Sequence, residues 1–113
     1  MITQQTFASA AWNRKGKVTR RERFLAEMDA VIPWSLLVGL IEPHYPNSGK
    51  GRPPHELERM LRIYFLQQWF NLSDPQAEDA IYDSESMRRF AGVERGDDKI
   101  PDESTILRFR HLL

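Results

Sequence analysis

HELERMLRIYFLQQWF, residues 55–70, is the stretch on which the fold turns. Leu57, Met60, Leu61, Tyr64, Phe65 and Gln68 recur at three- and four-residue spacing and share one helical face, with Glu58, Arg59 and Arg62 opposite. Past Arg62 the two-faced pattern ends, because Ile63, Leu66, Trp69 and Phe70 point elsewhere around the helix. A helix that is apolar on most sides is buried on most sides. The spacing therefore predicts a helix from about Pro54 or His55 to Phe70 that acts as the central strut of the fold.

Upstream of the strut, Thr19 and Glu22 fit a capping box. Phe24, Leu25, Met28, Val31 and Ile32 then carry a helix over about 20–31. Pro33 stops it and can open a short second helix, with Leu36, Leu37, Leu40 and Ile41 as its buried face. EPHYPNSGKGRPP (42–54) cannot continue a helix, since its prolines and glycines make a semi-rigid loop. Downstream, Ser73 and Asp74 before Pro75 mark a helix start, with Ala77, Ala80 and Ile81 as a small apolar stripe. Residues 83–86 reopen a helix that turns Met87, Phe90 and Ala91 inward and that Gly92 closes. Asp102 caps a last helix that runs to the end. No segment alternates with the two-residue period of a strand, and there is no internal repeat. The class is all-α, a compact bundle of about five or six helices with a helix-turn-helix-like C-terminal part. That part would use 75–82, 84–91 and 102–113, although the loop at 92–101 exceeds the usual turn of about 3–4 residues; it forms a wing or simply widens the unit.

A chain of 113 residues supports one core, so residues 19–113 read as one domain behind a basic arm, 1–18. The absence of cysteine excludes a disulfide framework, a thiol nucleophile and thiolate zinc sites. No apolar run approaches the ~20 residues of a membrane helix, and the N-terminus lacks the order of a signal peptide. A cytoplasmic protein with no membrane partner is expected. The formal net charge of zero hides a pattern: 1–23 carry +5, 24–49 carry −3, 50–71 carry +2, 72–103 carry −6 and 104–113 carry +2. Basic ends on an acidic body can hold a polyanion with those ends alone. Arg14, Lys15, Lys17, Arg20 and Arg21 are the candidate phosphate contacts of the first end.

In the last helix, at ~100° per residue, Ile106, Phe109 and Leu113 cluster with Arg110 beside them. Ser104, Arg108 and His111 form the opposite stripe, flanked by Thr105 and Leu112. A short polar-basic face on a helix held by its other side suits the DNA major groove, where arginine pairs with guanine and hydroxyls reach phosphates or bases. Arg108 is the leading base or phosphate contact. Arg110 sits toward the core, for an ion pair or a bent-out phosphate contact. Gly51–Arg52–Pro53 has the form of a minor-groove hook, with a proline-stiffened lead into the strut as the stronger reading.

Enzyme chemistry finds little support. His44, His55 and His111 lie in different elements without ligand spacing. Asp97, Asp98, Asp102 and Glu103 are close enough in sequence to invite a magnesium site, but turn formation and helix capping account better for them. There is no phosphate loop, nucleophile elbow or dinucleotide fingerprint. Trp12, Trp34 and Trp69, if exposed together, would instead mark a protein-binding surface.

Four segments carry a resemblance: FLAEMDAVIPW (24–34), GRPPHELERMLRIYFLQQWFNLSD (51–74), EDAIYDSESMRRFAG (78–92) and IPDESTILRFRHLL (100–113). In this order they resemble the N-terminal domain of bacterial insertion-sequence DDE transposases of the InsH-like type. The resemblance implies a helical domain that binds double-stranded DNA at transposon terminal inverted repeats and that can dimerise, with no small-molecule substrate. In the family an RNase-H-like catalytic domain follows, in which Asp, Asp and Glu hold magnesium for strand cleavage and transfer. Those carboxylates have no counterparts in these 113 residues, so the chain is expected to be a non-catalytic front part without a cofactor of its own. The alternatives are a protein-interaction module or a naturally shortened transposase that works as a repressor or complex subunit.

Overall fold

Three hydroxyls and one carboxylate set the starts of four helices in the computed structural model, which describes residues 17–45, 56–93 and 99–113. Helix α1 (Arg20–Val31) begins behind Thr19, whose hydroxyl accepts the Glu22 amide while the Glu22 carboxylate accepts the Thr19 amide. Helix α4 (Asp74–Asp83) repeats the device with Ser73 and Gln76. Ser84 caps α5 (Glu85–Ala91) through the Met87 amide, and Asp102 caps α6 (Glu103–Leu112) through the Thr105 amide. Each cap satisfies amide donors that the first helical turn leaves without a partner. Helices α2 (Trp34–Ile41) and α3 (Leu57–Phe70) lack such a side chain; Pro33 precedes the first, and a 3-10 turn, Glu42–His44, follows it. No strand occurs among the described residues, and the fold is a small all-α bundle.

The strut is as expected in role. Six α3 side chains (Leu57, Met60, Leu61, Ile63, Leu66 and Gln67) are buried over a wide arc, with Ile63 fully enclosed. Helices α5 and α6 both pack on α3 and α4 and make little contact with each other, while α1 lies on α5 and α2 on α3. Leu25, Ile81, Met87, Phe90, Ile106 and Phe109 complete the core from the surrounding helices. Phe24, Trp34, Phe65, Trp69 and Phe90 form an aromatic layer with ring centroids 5.1–5.8 Å apart. Phe65 and Trp69 are stacked and the other pairs meet edge to face, and both arrangements add to the area they bury.

Four expectations are corrected. Gln67 is buried and Gln68 exposed, because the Gln67 amide donates to the Leu72 carbonyl and the Asp74 carboxylate and so closes the α3–α4 turn. Asn71, at φ 55°, supplies the left-handed residue that ends α3 there. Leu36 and Leu40 face outward, 61% and 64% exposed, and the inward face of α2 is Trp34, Leu37, Val38 and Ile41. WSLLVGLI has no charged residue to mark a face, so the Trp34 ring, wedged between Phe65 and Phe90, sets the rotation. Leu113 is half exposed, since it lies past the last turn of α6, leaving Ile106 and Phe109 to hold that helix down. Trp34 and Trp69 are packed in the aromatic layer and do not form an exposed tryptophan surface; Trp12 lies outside the described residues.

Candidate nucleic-acid interface

Helix α6 is fixed to α4 at both ends by carboxylates. Near its start, the Glu78 carboxylate accepts the Glu103 amide at 2.8 Å, a donor that the Asp102 cap does not reach. In its last turn, Arg110 donates to both Asp74 oxygens at 3.1 and 2.9 Å. A two-pronged arginine–carboxylate pair fixes direction as well as distance. The Arg110 hydrogen bond holds the Asp74 carboxyl below the usual carboxylate range, with Gln67 adding a further donor. Asp74 thus ties the α3–α4 turn to α6. Of the two readings open for Arg110, the ion pair is the one observed.

With Ile106 and Phe109 buried and Arg110 committed, Ser104, Arg108 and His111 remain at the surface and Thr105 is half-buried. The two hydroxyls are engaged locally. Ser104 donates to the Asp102 carboxylate at 2.8 Å, and Thr105 accepts from the Arg108 guanidinium at 3.3 Å. That long contact is the one hydrogen bond found for Arg108 among the described residues. The first turn of α6 is acidic, with Asp102, Glu103 and the arriving Glu78, whereas the cations occupy its second half. The charge of α6 therefore runs from acidic at its start to basic in its second half.

The Asp102 cap carries a pH prediction. Hydrogen bonds from the Thr105 amide, then from the Ser104 hydroxyl, lower its carboxyl to about 2 from an ordinary value of 3.8. A carboxylate lowered in the folded chain stabilises it above the ordinary value, and this contribution disappears as pH falls through the folded value. Between about pH 4 and pH 2 the parent should lose thermal stability faster than Asp102→Asn, whose neutral amide still caps. Identical melting-temperature profiles for the two over that window would contradict the assignment.

At the other basic end, Lys17, Arg20 and Arg21 are exposed. The Arg21 guanidinium lies 5.3 Å from the centre of the Phe70 ring. Arg14, Lys15 and Arg52 lie outside the described residues. Of the acidic run, Asp102 accepts from the Thr105 amide and the Ser104 hydroxyl; Asp97 and Asp98 lie outside the described residues. No three His, Asp or Glu side chains converge as metal ligands among the described residues. No single helix described is long and apolar enough to cross a membrane.

Sequence reasoning missed the structural duties of three arginines. Arg62 donates to Asp29, Glu58 and the Phe90 carbonyl, Arg59 to the Gly92 carbonyl, and Arg88 to the carbonyls of Ile81 and Tyr82. The only local signal was the Glu58–Arg62 spacing, which fits an i,i+4 pair.

These features define the class: a small all-α domain that holds one helix by its apolar side and shows that helix's cations to solvent. A family model described as Transposase domain (DUF772) matches residues 12–112, and the chain belongs to that family. No solved structure matches it.

Proposed function

We propose that this domain binds double-stranded DNA through the second half of α6, with Arg108 as the principal contact and His111 beside it. The supporting observation is the contrast between two arginines on one helix. Both are exposed, but Arg110 is bound to Asp74 by two hydrogen bonds, whereas Arg108 has one long contact to Thr105. The basic segment at 14–23 contributes phosphate contacts, and Ser104 and Thr105 approach the groove edge behind Arg108. In this reading the domain is the non-catalytic, DNA-recognising part of an insertion-sequence DDE transposase. It works in the bacterial cytoplasm on the terminal inverted repeats of its element and can pair with a second copy. The magnesium chemistry belongs to a separate catalytic domain.

The test is selection of preferred duplexes from a random pool, followed by affinity measurements on preferred and random DNA. Arg108→Ala should cost about 1–3 kcal/mol on the preferred duplex and clearly less on random DNA, the pattern of a base-reading arginine. Equal losses on both would make Arg108 a phosphate contact, and no loss on either would remove it from the interface.

A further inference from the structure

The starts of α1 and α5 face each other across an open cleft of about 560 Å³, lined by Lys17, Thr19, Arg20, Arg21, Glu22, Ser84, Glu85 and Ser86. We infer that this cleft seats a phosphate group between Lys17 and Arg20 on one wall and the Ser84–Ser86 hydroxyl pair on the other. The inference deepens the DNA-binding reading, because a duplex backbone is one source of such a group; free phosphate is the other.

The charge arrangement points to an anion. Lys17 and Arg20 have no hydrogen-bond or ion-pair partner among the described residues. The two acids of the lining are occupied: Glu22 accepts the Thr19 amide, and Glu85 pairs with Arg89 at 3.0 Å. Two cations without partners therefore line a space whose carboxylates already have partners, with Arg21 beside them against Phe70, and the balance favours an incoming negative charge.

The hydroxyls supply the second argument. Ser84 Oγ and Ser86 Oγ lie 3.1 Å apart, and Ser84 Oγ also accepts the Met87 amide. Two hydroxyls carry two protons, and their mutual bond uses one. The second proton has no acceptor among the described residues. A phosphate oxygen is a strong acceptor of the kind this proton lacks, and the hydroxyl adds a donor to those of the cations. The seat joins two elements far apart in sequence, so it exists only in the folded chain.

The experiment uses the 113-residue chain and three variants, Arg20→Gln, Ser86→Ala and Ser86→Asp, each first checked for parental helicity. Ser84 is left intact because it caps α5. In the first arm, DNA affinity is measured against salt. Ser86→Asp should weaken binding about tenfold at low salt, and Arg20→Gln should lower the salt slope by about 0.9, the value of one phosphate contact. Ser86→Ala should fall between the parent and Ser86→Asp. In the second arm, inorganic phosphate is titrated at constant ionic strength, and amide shifts are followed by NMR at 17–22 and 84–86.

Parental DNA binding in all three variants, without phosphate-induced shifts, overturns the cleft and leaves the α6 reading standing. Shifts with phosphate but no DNA binding by the parent support the cleft with free phosphate as its source and overturn the DNA reading. Weakened DNA binding in the variants, with or without shifts by free phosphate, supports a backbone phosphate in the seat. Neither DNA binding nor phosphate shifts in the parent overturns both.

Discussion

Ile63→Ala is expected to remove about 2–5 kcal/mol of unfolding free energy, a large part of the roughly 5–15 kcal/mol typical of a small domain. Ile63 has no exposed surface and sits mid-strut, where α3 meets helices on several sides. Deleting its outer carbons loses their transfer free energy and leaves a hole that four neighbouring helices cannot all close at once. Urea denaturation followed by far-ultraviolet circular dichroism gives the number. Ile63→Val should cost less, about 0.5–1.5 kcal/mol, because only one methylene is missing. An alanine variant within 1 kcal/mol of the parent would mean that α3 is not the strut of this fold.

The second large effect is expected at Arg62. Its side chain is 13% exposed, and its guanidinium makes three charge-assisted contacts in three directions: Asp29 at 2.8 Å, Glu58 at 2.9 Å and the Phe90 carbonyl at 2.9 Å. It also lies 4.2 Å from the centre of the Trp34 ring and 5.0 Å from that of Phe90. The group therefore joins α1, α2, α3 and α5 at one point, and Asp29 is shared with the Trp34 indole N–H. Arg62→Ala should cost about 1–3 kcal/mol, since Asp29 and Glu58 are 50% and 39% exposed but the guanidinium itself is shielded and the Phe90 carbonyl loses its donor. Arg62→Lys should recover less than half of that loss, since an ammonium carries charge but not a planar fork or a stacking face. Urea denaturation followed by far-ultraviolet circular dichroism reads both effects. A lysine variant as stable as the parent would show that charge alone is at work there.

Much of this fold was legible in the sequence because its cues are local. Thr19 with Glu22, Ser84 and Asp102 announce helix starts within a few residues, and Gly92, at φ 80°, announces an end. The buried positions of α4, α5 and α6 followed from helical spacing because polar residues flank them on the opposite face. Helix α2 was misread for the opposite reason. A segment with no charge offers no polar face, and only the packing of Trp34 decides which leucines are covered. Gln67 and Gln68 are equivalent by composition, and the turn that selects Gln67 depends on Asp74 seven residues on. The duties of Arg62, Arg59 and Arg88 also rest on partners in other helices, beyond the reach of spacing.

The candidate interface was legible in outline. Periodicity separated Arg108 from Arg110, and the structure gives the difference, since the Asp74 carboxylate pairs with Arg110 at the surface. The acidity of the first α6 turn is sharper in three dimensions than along the chain, because Glu78 arrives from α4. This shifts weight within the proposed interface from Ser104 and Thr105 toward Arg108 and His111. The cleft was not legible, because Ser84 and Ser86 lie more than sixty residues from the cations they face.

The central claim, that this transposase-family domain is a DNA-binding unit, is tested most directly by a salt titration of its affinity for duplex DNA. Fluorescence anisotropy of the 113-residue chain on a labelled duplex, over roughly 50–200 mM salt, supplies the slope of log affinity against log salt. The account predicts binding at the low end and a straight line with a slope near −0.9 for each phosphate neutralised, shallower in Arg20→Gln. Absence of binding at the lowest salt, or an affinity that does not change with salt, would contradict it.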